Sequence, residues 1–420
     1  MILKKNNTDR LIEYNQKYLN WFVFFSIFTA IRVAGISITF FIFLIIVYTF
    51  IKAKVKLFTI VTVVDIFLLL FLFFLIISSL ISIADSTTKM STFSTFKLMI
   101  QYIYWVILAL FLKTWIHRYD FLEISKYFFI ASIFSIFYYI VFNKLYFVFN
   151  PNEFSFYMVV SIPLSFYYII NTFSNKIIFA ISIFFTIGLI WSESRTGLAL
   201  VLLELFIFII VYSKRIRLSL IASIVILTPL IFLTLSTINM KDSDTREYKY
   251  QLANFIEPIS PKYAYTLRLK ENVFERDKSF LIRKLMIQKG EIIFKEHPYL
   301  GIGIGGFTKF HAELNMRKVS SRWLKRSQAR YNRISAQNTY LKMIVETGII
   351  STLFLLLVYL FILIYGLKYI IELKDFTKIF IYISFLMVIL YGFILVTIQG
   401  AIAWIIIGLS LSLINKRKIQ

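Results

Sequence analysis

The sequence predicts an all-α, polytopic helical membrane protein of about 12 transmembrane helices, with one long extracytoplasmic loop that contains amphipathic helices. Three observations carry this. Apolar runs repeatedly exceed the roughly 18 residues that a helix needs to cross a bilayer. Hydrophobic residues make up 59% of the chain, above the roughly 45–50% of a soluble domain. The short polar stretches between the runs alternate in their Lys and Arg content. Runs such as "FLLLFLFFLIISSLISIA" are apolar on every side, whereas barrel strands alternate apolar and polar over about 10 residues, so helices with internally closed hydrogen bonds are expected.

Taken in order, the hydrophobic segments fall at about 19–31, 34–51, 57–83, 98–116, 128–148, 154–172, 177–192, 197–213, 218–239, 338–366, 378–396 and 398–414. Only "IRVAG" separates the first two, and fusing them would make the count odd. Charge decides for two. With the N-terminus inside, the cytoplasmic connections are "KAKVK", "HRYDFLEISK", "NTFSNK", "SKRIR" and "GLKYIIELKDFTK", and the tail "NKRKIQ" is also inside. The outer connections "DSTTKMSTFSTFK", "NKLYFVFNPNEFS", "SESRTG" and "QGAIA" carry fewer Lys and Arg, as the positive-inside rule requires. The chain then divides into an N-terminal bundle of about nine spans at 1–240, a loop at 241–337 and a C-terminal bundle of about three spans at 338–420, with both termini cytoplasmic. No apolar stretch precedes Leu19, so a cleaved signal peptide is not expected. Pro163 and Pro229 fall inside spans and mark expected kinks. Neither a solenoid repeat nor a pair of interrupted helices in inverted repeats is evident.

The loop holds 20 Lys and Arg against 10 Asp and Glu. Its length lets it translocate despite that charge, since loops beyond about 60 residues are indifferent to the rule. Within it, Ile282, Leu285, Met286, Ile292 and Ile293 recur with helical spacing in "KSFLIRKLMIQKGEIIFKEHP", which predicts an amphipathic helix stopped before Pro298. "YLGIGIGGF" follows as a glycine-rich turn. A second helix is expected from about Met316 to Arg333, where Arg322, Arg326, Arg330 and Arg333 share a face.

A net charge of +24 concentrated at segment ends and in this loop points to anionic lipid headgroups and phosphorylated lipid substrates, not to nucleic acid. With no cysteine there are no disulfides or thiolate metal sites. Arg195, in the tight hairpin "SESRTG", is either a snorkelling headgroup contact or a bidentate phosphate ligand. "GIGIGG" has the spacing of a dinucleotide fingerprint without the preceding strand, so it reads as a flexible turn or as a nest of amides for an anion. The arginine face at Arg322, Arg326 and Arg330 contacts lipid phosphate or docks an acidic glycan. His117, His297 and His311 show no metal-ligand spacing, and no metal or other cofactor is expected. His297 and His311 are possible bases beside Glu296 and Glu313. Asp65, Glu204 and Glu346 are carboxylates within spans and functional candidates for that reason, although Glu346 has a loop arginine as an alternative partner.

Three stretches, "SESRTGLALVLLELF", "EHPYLGIGIGGF" and "AQNTYLKMIVETGIIS", together resemble the bacterial O-antigen ligases and Wzy-type O-antigen polymerases over about 180–360. The order of about nine spans, a long outer loop and a span opened by an Asn-x-Tyr-Leu motif is similar to that family too. The resemblance implies a polysaccharide polymerase acting on undecaprenyl-diphosphate-linked repeat units at the outer face of the cytoplasmic (inner) membrane. A ligase is the alternative within the class, and a flippase or transporter the alternative outside it. It further implies Arg195 and Arg283 as catalytic residues, Asn338 and Tyr340 as substrate contacts, and a flippase and a chain-length regulator as partners. Where the ligase pattern has His-Asn, this chain has Gln337-Asn338, so the base-like role of that histidine does not carry over. Gln337 is left to orient a hydroxyl, and the base stays open among His297, His311, Glu193 and Glu313.

Overall fold

The computed structural model describes residues 7–27, 32–33, 36–60, 62–84, 92–146, 151–191, 278–310, 338–372, 376–393 and 400–414, together with 194, 197, 199–201, 203–204, 257, 261, 335–336 and 395–398. Its helices are α1 (Asn7–Ile27), α2 (Ile38–Lys52), α3 (Val63–Ala84), α4 (Thr92–Trp115), α5 (Phe121–Tyr146), α6 (Pro151–Thr172), α7 (Asn175–Trp191), α8 (Lys278–Glu296), α9 (Thr339–Glu372), α10 (Phe376–Gly392) and α11 (Ala401–Ile414). Short 3-10 turns occupy Ile116–Arg118 and Gly306–Thr308, and a two-residue antiparallel pair, Arg32 opposite Ser37 and Val33 opposite Ile36, lies between α1 and α2. That pair breaks the chain between the first two segments, as the charge argument required.

Among the described residues, five stretches are long and apolar enough to cross a membrane: Val63–Ala84, Thr92–Arg118, Phe121–Ile140, Asn152–Thr172 and Thr339–Lys368. Ile38–Lys52, Thr377–Gly392 and Ala401–Ile414 are shorter apolar helices. On α9 the exposed residues Ile349, Leu353, Leu356, Leu360 and Ile364 recur every three or four positions, an apolar stripe suited to hydrocarbon. The protein is a helical integral membrane protein. The expected span at 218–239, Pro229 within it and the arginine-rich helix at 316–333 lie outside the described residues.

Three boundaries need correction. The first segment is helical from Asn7 rather than from about 19, because Leu11, Ile12, Asn15 and Leu19 bury one face while polar residues occupy the other, which averaged hydropathy conceals. Likewise α4 starts at Thr92 and α5 at Phe121, each several residues before its apolar run.

α3 packs along α9, α5 along α6, α4 along α11, and α10 along both α6 and α11. The centre is α11, every residue of which is buried from Ile402 to Leu413. Gly408 lets it approach α4 closely: a Cβ there would lie 2.9 Å from both the Cα and the carbonyl oxygen of Ala109. Trp404 stacks on Trp105 with ring centroids 6.2 Å apart and touches Tyr102 edge-on. Without a hydrophobic drive between helices in lipid, such close packing of small residues and rings is the main cohesive term.

Asp65 is accounted for here. Its carboxylate is paired with Lys113 of α4 at 2.5 Å, both side chains almost wholly buried, and Thr62 adds its hydroxyl to the ammonium and its N–H to the carboxylate. This pair ties the start of α3 to the end of α4. At the opposite end of the bundle lie the ends of α3, α7 and α10 and the starts of α6, α9 and α11, joined by the contacts described next.

Candidate functional site

The long loop returns to the membrane through a joint made with α9. Gly348 interrupts that helix with φ 77° and ψ 172°, a conformation essentially confined to glycine. The chain after α8 enters the gap. The N–H groups of Ile349 and Ile350 donate to the carbonyls of Pro298 and Tyr299 at 3.0 and 3.5 Å, and that of Ile302 donates to Val345 O at 3.0 Å. Amides and carbonyls freed by the break are thus satisfied by protein, the condition for irregular backbone at membrane depth. α3 closes the joint from the other side: Ser78 donates to Glu346 O, Ser82 to Ile302 O, and Ser79 accepts from Ile304 N.

The glycine-rich turn is therefore anchored, not a flexible connector. Gly301, Gly303 and Gly305 all have positive φ, and the anion their turn holds belongs to the protein. The Glu346 carboxylate accepts from the backbone N–H of Phe307 at 3.3 Å and from that of Gly305. Lys342 stands 3.9 Å away, one turn earlier on α9. The loop arginine considered as a partner for Glu346 is replaced by Lys342 and these amides among the described residues.

α8 matches the amphipathic helix read from the loop. Leu285, Met286, Lys289, Gly290 and Ile293 are buried and share a face, forming a satellite core with Ile302, Phe307, Ala336 and Val345. Lys289 was not foreseen there. Its ammonium sits 4.9 Å from the centre of the Phe307 ring, and burial pulls it down to about 8.

Four segments meet in a second polar cluster. Tyr391, at the end of α10 and fully buried, donates its hydroxyl to Asn152 O at 3.0 Å, next to the start of α6. It lies 3.3 Å from the hydroxyl of Ser194, the residue before Arg195. Ser194 in turn donates to Asn152 Oδ1 at 3.2 Å and accepts from Gly197 N at 3.2 Å, while Ser155 bonds Tyr391 from α6. The Arg283 side chain of α8 acts on the Tyr391 hydroxyl by charge. Residues 194 and 197, the start of α6 and the end of α10 meet here.

Of the residues singled out in the sequence, Arg283 lies on α8, within range of a charge interaction with Tyr391. His297 does not sit beside it along the helix: it follows α8, 14 residues on, about 21 Å at 1.5 Å per residue. Asn338 caps α9, its Oδ1 accepting from Leu341 N at 2.9 Å and its Nδ2 donating to Phe393 O at 2.8 Å. Tyr340 donates to Ile389 O at 2.8 Å, and Thr339 bonds Leu395 O and Thr397. The Asn-Thr-Tyr run thus fastens α9 to the end of α10 and to residues 393, 395 and 397 that follow it. Glu204 is buried, and its carboxylate has no hydrogen-bond partner among the described residues. Arg195, Glu193, Gln337, His311, Glu313, Arg322, Arg326 and Arg330 lie outside the described residues.

Sequence reasoning missed Tyr391, Asn152, Ser155 and the three α3 serines. The serines at 78, 79 and 82, spaced i, i+1 and i+4 in an apolar run, were a readable face. Tyr391 carried no signal.

The fold and these clusters define an integral membrane protein with a polar, basic site at one end of a helical bundle. A family model described as O-antigen ligase matches residues 180–356, the stretch that contains the hairpin, α8, the glycine turn and the opening of α9. This stretch of the chain is thus similar to the O-antigen ligase family. A comparison with curated proteins returned no match.

Proposed function

We propose that the protein is a polysaccharide polymerase of this class, joining undecaprenyl-diphosphate-linked oligosaccharide repeat units at the outer face of the cytoplasmic membrane. One observation carries most weight: the stretch similar to the O-antigen ligase family holds both Arg195, next to the buried Ser194, and Arg283 of the loop helix α8. Two guanidiniums from separate segments suit a diphosphate, which takes bidentate hydrogen bonds from each.

An acceptor sugar hydroxyl attacks the anomeric carbon of the lipid-linked glycan. The new C–O bond forms as the bond from that carbon to the phosphate oxygen breaks, and the diphosphate leaves with the electron pair. Arg195 and Arg283 stabilise the charge that develops on it. The hydroxyl proton passes to a base, for which His297, His311, Glu193 and Glu313 are the candidates. Gln337 orients the hydroxyl, while Arg322, Arg326 and Arg330 hold the glycan or lipid phosphates nearby. A flippase delivering the units and a regulator of chain length are the partners this chemistry calls for.

The family's description favours a second reading, a ligase that passes the glycan to lipid A core or another acceptor. Purified protein given lipid-linked repeat units alone separates the two: a ladder of longer lipid-linked glycans supports the polymerase. Transfer that appears only with a separate acceptor rejects it for the ligase, and no covalent product with any acceptor rejects both in favour of a transporter.

A further inference from the structure

We infer that Tyr391 is a positioning residue for the transfer reaction: its hydroxyl helps to hold Ser194 and, through it, Gly197, the described residues that flank Arg195 and Thr196 in sequence, against α6 and α10. The inference rests on the proposed glycan transfer.

The Tyr391 hydroxyl, wholly inside the protein, donates to the backbone carbonyl of Asn152 and stands 3.3 Å from Ser194 Oγ. Ser194, itself buried, donates to Asn152 Oδ1 of α6 and accepts the N–H of Gly197. The residues on either side of the Arg195–Thr196 pair are thereby pinned to α6 and α10. Gly197 is also pressed against α6, since a Cβ there would lie 2.6 Å from Ser155 Cβ. A phenolic oxygen shared by α6, α10 and Ser194 thus fixes the residues that flank Arg195 in sequence without contacting the substrate. Since displacement of a reacting group by about 1 Å costs on the order of 100-fold in rate, loss of this one oxygen is expected to act on turnover.

The test compares Tyr391→Phe, which removes the oxygen and keeps the ring, with Tyr382→Phe. Tyr382 lies on the same helix and donates to Leu363 O, away from the cluster. In Tyr391→Phe we expect kcat to fall about 10- to 100-fold with KM within about threefold of wild type. The amides of 192–198 should exchange with deuterium at least about fivefold faster by mass spectrometry, a local loss of protection. Tyr382→Phe should change neither. Ser194→Ala, from the other side of the contact, should reproduce both effects, and the double variant should be no worse than the weaker single, because the two act as a unit. This second variant serves if Tyr391→Phe does not fold. Unchanged exchange at 192–198, faster exchange with full kcat, or strictly additive losses would each overturn the inference. Faster exchange in a protein whose wild type transfers no glycan would instead refute the proposed function and uphold the anchor.

Discussion

Replacing Gly348 with Ala adds one methyl group at the joint between loop and bundle, and its cost follows from the geometry. The new Cβ would stand 2.0 Å from Tyr299 O and 2.4 Å from Tyr299 C. These are backbone atoms that no rotamer change can move. The φ of 77° and ψ of 172° add about 1–3 kcal/mol for a residue with a side chain. Relief requires the 298–302 backbone to withdraw, which strips partners from the N–H groups of Ile349, Ile350 and Ile302, at about 1 kcal/mol or more each. A loss of about 3–6 kcal/mol is expected, a large part of the 5–15 kcal/mol typical of a folded domain. Gly290→Ala is the matched comparison. Its Cβ would lie 2.5 Å from Leu341 Cδ1, the movable tip of a side chain, and alanine favours the α8 helix by about 1 kcal/mol over glycine. Thermal unfolding in detergent, followed by size-exclusion chromatography, should show Gly348→Ala losing its monodisperse peak at least 8 °C below wild type, an interval of roughly the size that several kcal/mol produces. Gly290→Ala should stay within about 3 °C of wild type. Equal melting of Gly348→Ala and wild type would mean that the loop does not occupy the break in α9.

Further outcomes test other parts of the structure. Arg195→Ala and Arg283→Ala should each lower glycan transfer by about 100- to 1000-fold, with poor rescue by Lys, in a lipid-linked transfer assay. Near-normal rates would make either arginine a headgroup anchor. Breaking the buried pair with Asp65→Asn or Lys113→Met should cost about 3–5 kcal/mol, whereas Asp65→Leu combined with Lys113→Met should recover most of it in the same melting assay. The depressed Lys289 ammonium binds its proton less well folded than unfolded, so its charge opposes folding below pH about 8, and that penalty fades as pH rises towards the ordinary lysine value. The stability of Lys289→Met relative to wild type should therefore be highest at pH 7 and decline by pH 10; a difference that grows with pH would reverse the assignment. Finally, cysteines at Ser243 and Ser320 should react with an impermeant thiol reagent from outside and one at Ser213 should not; the opposite pattern would invert the topology.

The helical class, the break between the first two segments and the loop helix were legible because each leaves a periodic or charge signature. Helix starts were not, because Asn7 to Tyr18 buries a narrow face that a hydropathy average dilutes. The hairpin, loop helix and glycine turn could be selected one by one. Their conjunction could not. Gly348 and "HPYLGIG" lie about 50 residues apart, and only the paired positive-φ glycines show that one segment fills the other. Tyr391 lies farther still from Asn152 and Ser194, and one tyrosine among 26 carries no sequence mark of its role.

The stretch at 393–400 between α10 and α11 bears on the order in which the bundle assembles. Alone in hydrocarbon, a chain must satisfy its amides within the segment, which would draw these residues into helix. Their native irregular form has its partners on α9: Asn338 bonds Phe393 O, and Thr339 both donates to Leu395 O and accepts from Thr397 N. α11 has only 14 residues, about 21 Å of helix against a hydrocarbon core of about 30 Å. It is therefore a poor candidate for independent insertion. The expected order is that α9 docks first, residues 393, 395 and 397 take their partners on it, and α11 then settles into the centre.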